Sequence, residues 1–214
     1  MMRRPASSMA RLALVLLVLT LGGCLASQAP AVRYYVLDPE AGTDAAAMPL
    51  PHLTVKLLEL RLPQYLERPQ IVTRSAPRRL DLAEYHQWGG NLRKNLVSVT
   101  VQNLSRELGT TRVSGPPHRA GLDADLLVEL EVNRFERGPE GRVTLVAWWR
   151  VLGGDGRDTL ETRVSELASP PLAPGADYAA TVAAMGEVFA RLGGEMAAAI
   201  RRHAPLPPKR SPEA

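Results

Sequence analysis

The sequence is poor in the residues that do chemistry. It holds one cysteine and four histidines in 214 residues. His52, His86, His118 and His203 are far apart and lack metal-ligand spacing. They read as surface or loop histidines. There is no Gly-x-Ser-x-Gly elbow, no His-Glu-x-x-His and no phosphate-cradling loop followed by lysine. Glu129 and Glu131 alternate along a strand pattern, so they read as a solvated face rather than a general acid and base. Gly153-Gly154-Asp155-Gly156 lies between strand patterns and reads as a hairpin turn. No enzymatic activity, metal or cofactor is expected. No apolar run reaches the ~20 residues that span a bilayer, and no repeat of ~20–50 residues is visible.

What is present begins at the N-terminus. Arg3, Arg4 and Arg11 form a positive region, and Leu12 to Leu19 form a short apolar run. Leu21-Gly22-Gly23-Cys24 follows. This is the layout of a secretory signal, and its last four residues resemble a bacterial lipobox. Residues 1–23 are then a lipoprotein signal peptide, and the Cys24 thiol is acylated. An ordinary secretory signal with an incidental cysteine is the competing reading. Acylation would remove the only thiol from an oxidising compartment. Several acyl chains would hold firmly, since each buried CH₂ contributes about 0.8 kcal/mol. Leu25, rather than aspartate, after the cysteine resembles an outer-membrane address.

Removal of the leader also changes the charge. The chain carries +4. Three arginines leave with the signal and no acid does, so the mature chain is close to neutral. A nucleic-acid partner, which calls for a concentrated basic face, is not expected. Residues 24–32 form a small-residue tether. At roughly 3.3 Å per residue, its last eight residues reach about 26 Å, so the domain stays near its membrane.

The remainder reads as one domain, 33–204, with a tail at 205–214 rich in Pro and charge that is expected to be disordered. Arg33–Leu37 and Leu53–Leu60 have strand character. Gln70–Arg74 and Arg78–Leu82 form a short pair around Pro77. Asn91–Leu108 reads as a helix, capped by Asn91 and closed by Gly109. Its stripe is Val97, Val101, Leu104 and Leu108, with Leu92 and Leu96 beside it. Val97–Val101 also alternates like a strand; the longer stripe and both end signals favour the helix. Thr111–Val113 is a short strand. Three antiparallel strands follow, Asp125–Glu136, Val143–Leu152 and Asp158–Leu167, and Leu126, Val128, Leu130 and Val132 share one face. Asp177 caps a last helix with a stripe through Tyr178, Val182, Met185, Phe189, Leu192, Met196 and Ala199. Gly186, Gly193 and Gly194 within it point to close approach, either to the sheet or to a neighbouring subunit. The fold class is α/β (α+β).

Three landmarks are more specific. Tyr34-Tyr35-Val36-Leu37 follows soon after Cys24. Leu57 to Leu66 leads to Gln70-Ile71-Val72-Thr73-Arg74. Glu84-Tyr85-His86-Gln87-Trp88-Gly89-Gly90-Asn91-Leu92 is the third. Together they resemble the PqiC/YmbA lipoproteins, auxiliary components of ABC-type transport systems that work with MCE proteins. The resemblance runs from Cys24 to about Arg202. It implies a three-layer domain, a mixed central sheet with an antiparallel meander and two main helices packed on it. It also implies an outer-membrane-anchored periplasmic docking subunit of an MCE-type lipid transport system, with permease and ATPase as partners and a homo-oligomeric ring in some members. A free-standing lipid- or small-molecule-binding lipoprotein is the alternative.

Four aromatic residues are candidate interface anchors. Trp148 and Trp149 are adjacent on a strand and must point to opposite faces. If both faces are covered, both are core; if one is bare, one Trp is an interface anchor. Tyr85 and Trp88, just before the first helix, either pack on it or meet a partner.

Overall fold

The computed structural model describes residues 30–40, 48–117 and 123–206. The leader, Cys24, most of the tether and the tail from 207 to 214 lie outside the described residues. The described residues from Val32 onward form one compact unit.

The strands are β1 Arg33–Tyr35, β2 Val55–Arg61, β3 Gln70–Ala76, β4 Arg79–Trp88, β5 Val113–Ser114, β6 Leu126–Arg137, β7 Val143–Gly153 and β8 Thr159–Ala168. The helices are α1 Leu92–Leu108 and α2 Tyr178–His203, and a 3-10 turn spans Gln64–Leu66. All eight strands belong to one mixed, open sheet. Its hub is β6. The first half of β6 pairs in parallel with β2, its last residue meets Thr73 of β3, and its whole length pairs antiparallel with β7. β7 pairs with β8, completing the expected meander.

α1 and α2 pack against each other and on the sheet. They cover the face carrying Leu57, Leu60, Val128, Leu130, Leu145, Ala147, Trp149 and Val151, all 2 % exposed or less. The two helices, the mixed sheet and the single α+β domain are thus as expected, and both helices share one face.

Both caps are built as the sequence dictates. The Asn91 side chain accepts from the Lys94 N–H at 3.0 Å, and Asp177 accepts from the Ala180 N–H at 2.9 Å. Such caps contribute about 1 kcal/mol each. Gly109 ends α1 at φ 62°, the left-handed conformation that glycine adopts without strain.

Local readings shift in four places. β1 stops at Tyr35 because Leu37 leaves the ladder. Its N–H and C=O are both satisfied by the Asn95 side chain, at 2.9 and 3.0 Å. β4 is longer than expected and includes Glu84–Trp88, of which His86, Gln87 and Trp88 pair in parallel with β1. The buried side of α1 runs through Leu92, Leu96, Val99, Thr100, Asn103, Leu104, Glu107 and Leu108. Val97 and Val101 are half-buried on its flank, where a side chain at Gly115 would collide with Val97. Gly193 faces Asn103 of α1, so the close approach there is helix to helix within one chain, neither to the sheet nor to a second subunit.

The C-terminal turn of α2 is pinned from two sides. Arg201 donates to the carbonyl oxygens of Met48 and Glu107. Arg202 donates to Glu161 of β8 at 2.7 and 2.9 Å, and His203 lies 3.2 Å from the same carboxylate. Burial pushes the Glu161 carboxyl up, but the hydrogen bonds from Arg202 and His203, with the charge of Arg163, outweigh it and hold it below the usual range. A carboxyl depressed in the folded state stabilises the fold above its unfolded pKa, and the stabilisation is lost as pH falls through the folded value. Acid titration of the unfolding free energy should therefore show a weaker acid limb in Glu161→Gln than in the wild type. Parallel curves would remove the pin from the account.

Candidate functional site

The expected interface residues separate cleanly. Trp149 is fully buried under α2, and its Nε1 donates to Ser165 Oγ at 2.9 Å. Ser165 in turn donates to Glu195 of α2. Trp88 is 5 % exposed and belongs to the core. Both side chains are thus buried within the chain, and Trp88 backs a shallow groove beside Tyr35 and Asn91. Tyr85 is half-buried. Trp148 alone of the tryptophans lies on the uncovered face.

That face has a regular construction. Arg61, Glu131, Trp148 and Val164 lie side by side across β2, β6, β7 and β8. The next row holds Glu59, Glu129, Arg150 and Thr162. Arg150 pairs with Glu129 at 2.7 Å and lies 5.5 Å from the centre of the Trp148 ring. Arg61 pairs with Glu59 at 2.6 Å. Val164 is 65 % exposed and Leu160 37 %. An aromatic and two aliphatic residues are thus bordered by two Arg–Glu pairs and by Glu131, which accepts from Asn133.

Higher on the same face, sequence reasoning missed a buried cluster. The β6 ladder shifts register between Val132 and Arg134. The shift turns Phe135 into the helix-covered core and Glu136 to the other side. Glu136 is completely buried. It accepts from Arg74 Nε at 2.7 Å, Arg134 Nε at 2.9 Å, Tyr65 Oη at 2.7 Å and the Phe135 N–H at 3.1 Å. Burial, with the hydrogen bond to Glu136, pushes the Tyr65 hydroxyl far above the usual phenol range, so it remains a donor. The one Glu136 carboxylate thus takes every donor of the cluster and serves two guanidiniums.

His86 is likewise not a simple surface histidine. Its Nδ1 lies 2.8 Å from Tyr35 Oη, and its ring stacks on Tyr178 with centroids 4.1 Å apart. Arg137 sits 5.7 Å from the same Tyr178 ring. The stack bolts β1 to β4 and to the start of α2. No group of three His, Cys, Asp or Glu able to hold a metal occurs among the described residues. None of the helices among the described residues is long and apolar enough to cross a membrane.

Two larger grooves mark opposite ends of the sheet. One of about 470 Å³ lies at the β6–β7 turn, between Arg74, Arg137 and residues 172–176. The other, about 690 Å³, is lined by Met48, Leu50, Leu53 and Leu206 at the opposite end of the sheet.

The class is an α+β domain with an open mixed sheet, and solved structures share it. One, a crystal structure of an uncharacterized protein, is 19 % identical, with a TM-score of 0.65 over 80 % of this chain and 99 % of that one. A Xanthomonas campestris protein is 18 % identical, with a TM-score of 0.60 over 78 % of this chain and 90 % of that one. A PelC dodecamer from Paraburkholderia phytofirmans is more distant, at 9 % identity and a TM-score of 0.44 over 72 % of this chain and 94 % of that one. No curated protein matches the sequence. The chain belongs to the family of ABC-type transport auxiliary lipoprotein components, whose model matches residues 35–197. Membership makes it an envelope-anchored lipoprotein with an auxiliary role in ABC-type transport, which points to a non-enzymatic function.

Proposed function

We propose that the protein is a lipid-anchored docking subunit of an MCE-type ABC lipid transport system, held at the outer membrane by Cys24 and facing the periplasm. The observation that carries this reading is the uncovered sheet face with Trp148 and Val164 at its centre. A half-buried tryptophan beside exposed aliphatic residues, bordered by charged residues, has the make-up of an interface with an apolar centre and a polar rim. ATP hydrolysis and the lipid conduit then belong to partner subunits. Copies of the chain arranged as a ring would suit a collar around such a conduit.

The test uses intact envelopes. Wild-type protein should incorporate labelled palmitate, fractionate with the outer membrane and co-purify with permease, ATPase and MCE-domain components. Cys24→Ala should lose the label and the membrane fraction. The double variant Trp148→Ala, Val164→Asp should keep both and lose the partners. Recovery of no transport component with the wild type would sink the docking reading. Stoichiometric lipid seated in the groove of about 690 Å³, with no transport component recovered, would favour the free-standing lipid binder instead, and that groove is the observation behind this second reading.

A further inference from the structure

The groove at the β6–β7 turn differs from the open face in holding an arginine that is anchored by neutral groups rather than by a carboxylate. Its lining includes Arg74, Arg137, Thr73, Ser75 and Glu140. Behind it, the single carboxylate of Glu136 serves two guanidiniums, those of Arg74 and Arg134. Arg137 forms no ion pair with a carboxylate among the described residues. It is held through Nη1 alone, by the Ala176 carbonyl and Thr181 Oγ1, both at 2.9 Å, and it lies against the Tyr178 ring. Its Nε and Nη2 therefore have no hydrogen-bond partner among the described residues. Glu140 is exposed on the rim. In the lining itself Arg74 and Arg137 face the one carboxylate of Glu140, and Arg137 keeps one edge of its fork free.

A guanidinium fixed on one side and open on the other is preorganised for an oxyanion, which it can take with two parallel N–H donors. The hydroxyl of Thr73 adds a donor to the same groove, whereas that of Ser75 donates to the Asp81 carboxylate. A volume of about 470 Å³ is larger than one phosphate needs and leaves space for the group esterified to it. The position of the groove names the source. The chain enters the fold at β1, and β1 is linked to Arg137 by successive contacts from Tyr35 to His86, His86 to Tyr178 and Tyr178 to Arg137, at 5.7, 4.1 and 5.7 Å. The end of the domain that receives the tether therefore also carries the groove.

We infer that this groove binds the phosphate of a membrane lipid headgroup, so that the domain touches its own membrane through Arg137 as well as through the anchor. The inference rests on the anchor reading for the source of the phosphate, and on the groove alone for the chemistry.

The full chain, purified in an uncharged detergent, can be titrated by calorimetry with inorganic phosphate and, separately, with dihexanoyl phosphatidylglycerol. The lipid should bind saturably at one per chain and at least tenfold more tightly than inorganic phosphate. Arg137→Gln should weaken it at least tenfold while remaining folded, with a midpoint lowered only by the loss of its contacts to Ala176, Thr181 and Tyr178. Glu140→Gln, on the exposed rim, should strengthen it. Absence of saturable binding for either probe, or a folded Arg137→Gln that binds like the wild type, overturns the groove as an anion site. Inorganic phosphate binding as tightly as the lipid overturns the membrane source. Neither result bears on whether Cys24 is acylated or whether transport partners co-purify, so this failure is separable from failure of the docking reading.

Discussion

Glu136→Ala is expected to lower the unfolding free energy by about 3–5 kcal/mol, the range for breaking a buried ion pair by removing one partner. The carboxylate is wholly buried and accepts four hydrogen bonds. Its removal strands two partly buried guanidiniums and leaves the Tyr65 hydroxyl and the Phe135 N–H without their acceptor. A domain of this size loses roughly 2–4 °C of thermal midpoint per kcal/mol, so the midpoint should fall by roughly 10 °C. Glu136→Gln keeps the shape and some acceptor capacity, and should lie between alanine and the wild type. Denaturant unfolding of the three proteins decides it. An alanine variant within about 1 kcal/mol of the wild type would mean that the cluster relaxes without cost, contrary to the geometry.

Trp149→Ala has a comparable expected effect by a different route. The side chain is fully buried, and truncating a core aromatic typically costs about 3–5 kcal/mol through lost burial and the cavity left behind. It also removes the donor that links β7 through Ser165 to Glu195 of α2. Trp148→Ala, one residue earlier, should cost far less stability because its ring stands on the uncovered face. The neighbouring pair therefore makes an internal control. Equal losses of midpoint in the two variants would contradict the assignment of faces.

The elements with local signals were legible in the sequence. Asn91 and Asp177 announce the starts of the helices, and Gly109 announces the end of the first. The Gly-rich turns separate the meander strands, and simple alternation places Leu126, Val128, Leu130 and Val132 together. The alternation fails at a single point, the register shift before Arg134. Continued unbroken, it would turn Glu136 toward the helices and Phe135 away from them. A bulge of this kind changes parity with no residue signature of its own, so the cluster around Glu136 was invisible. His86 was opaque for another reason. Its partners Tyr35 and Tyr178 lie far from it in the chain, and only the completed sheet brings the three rings together. The pairing Trp148–Trp149 was half legible: opposite directions follow from strand geometry, but which direction is bare depends on both helices choosing one side.

The place where the chain enters the fold has a mechanical consequence. If Cys24 is the anchor, any pull on the domain against its membrane arrives at Val32 and passes into β1. That strand is a three-residue rung at the margin of the sheet, held in parallel to β4. Behind it stand the two Asn95 hydrogen bonds to Leu37 and the Tyr35–His86 contact. These few bonds, and not the long β6–β7 ladder, are the first to bear load. The domain is thus coupled to its membrane through its weakest seam. Under tension that seam would open first and lengthen the leash, while the hub strand and the Trp148 face keep their shape.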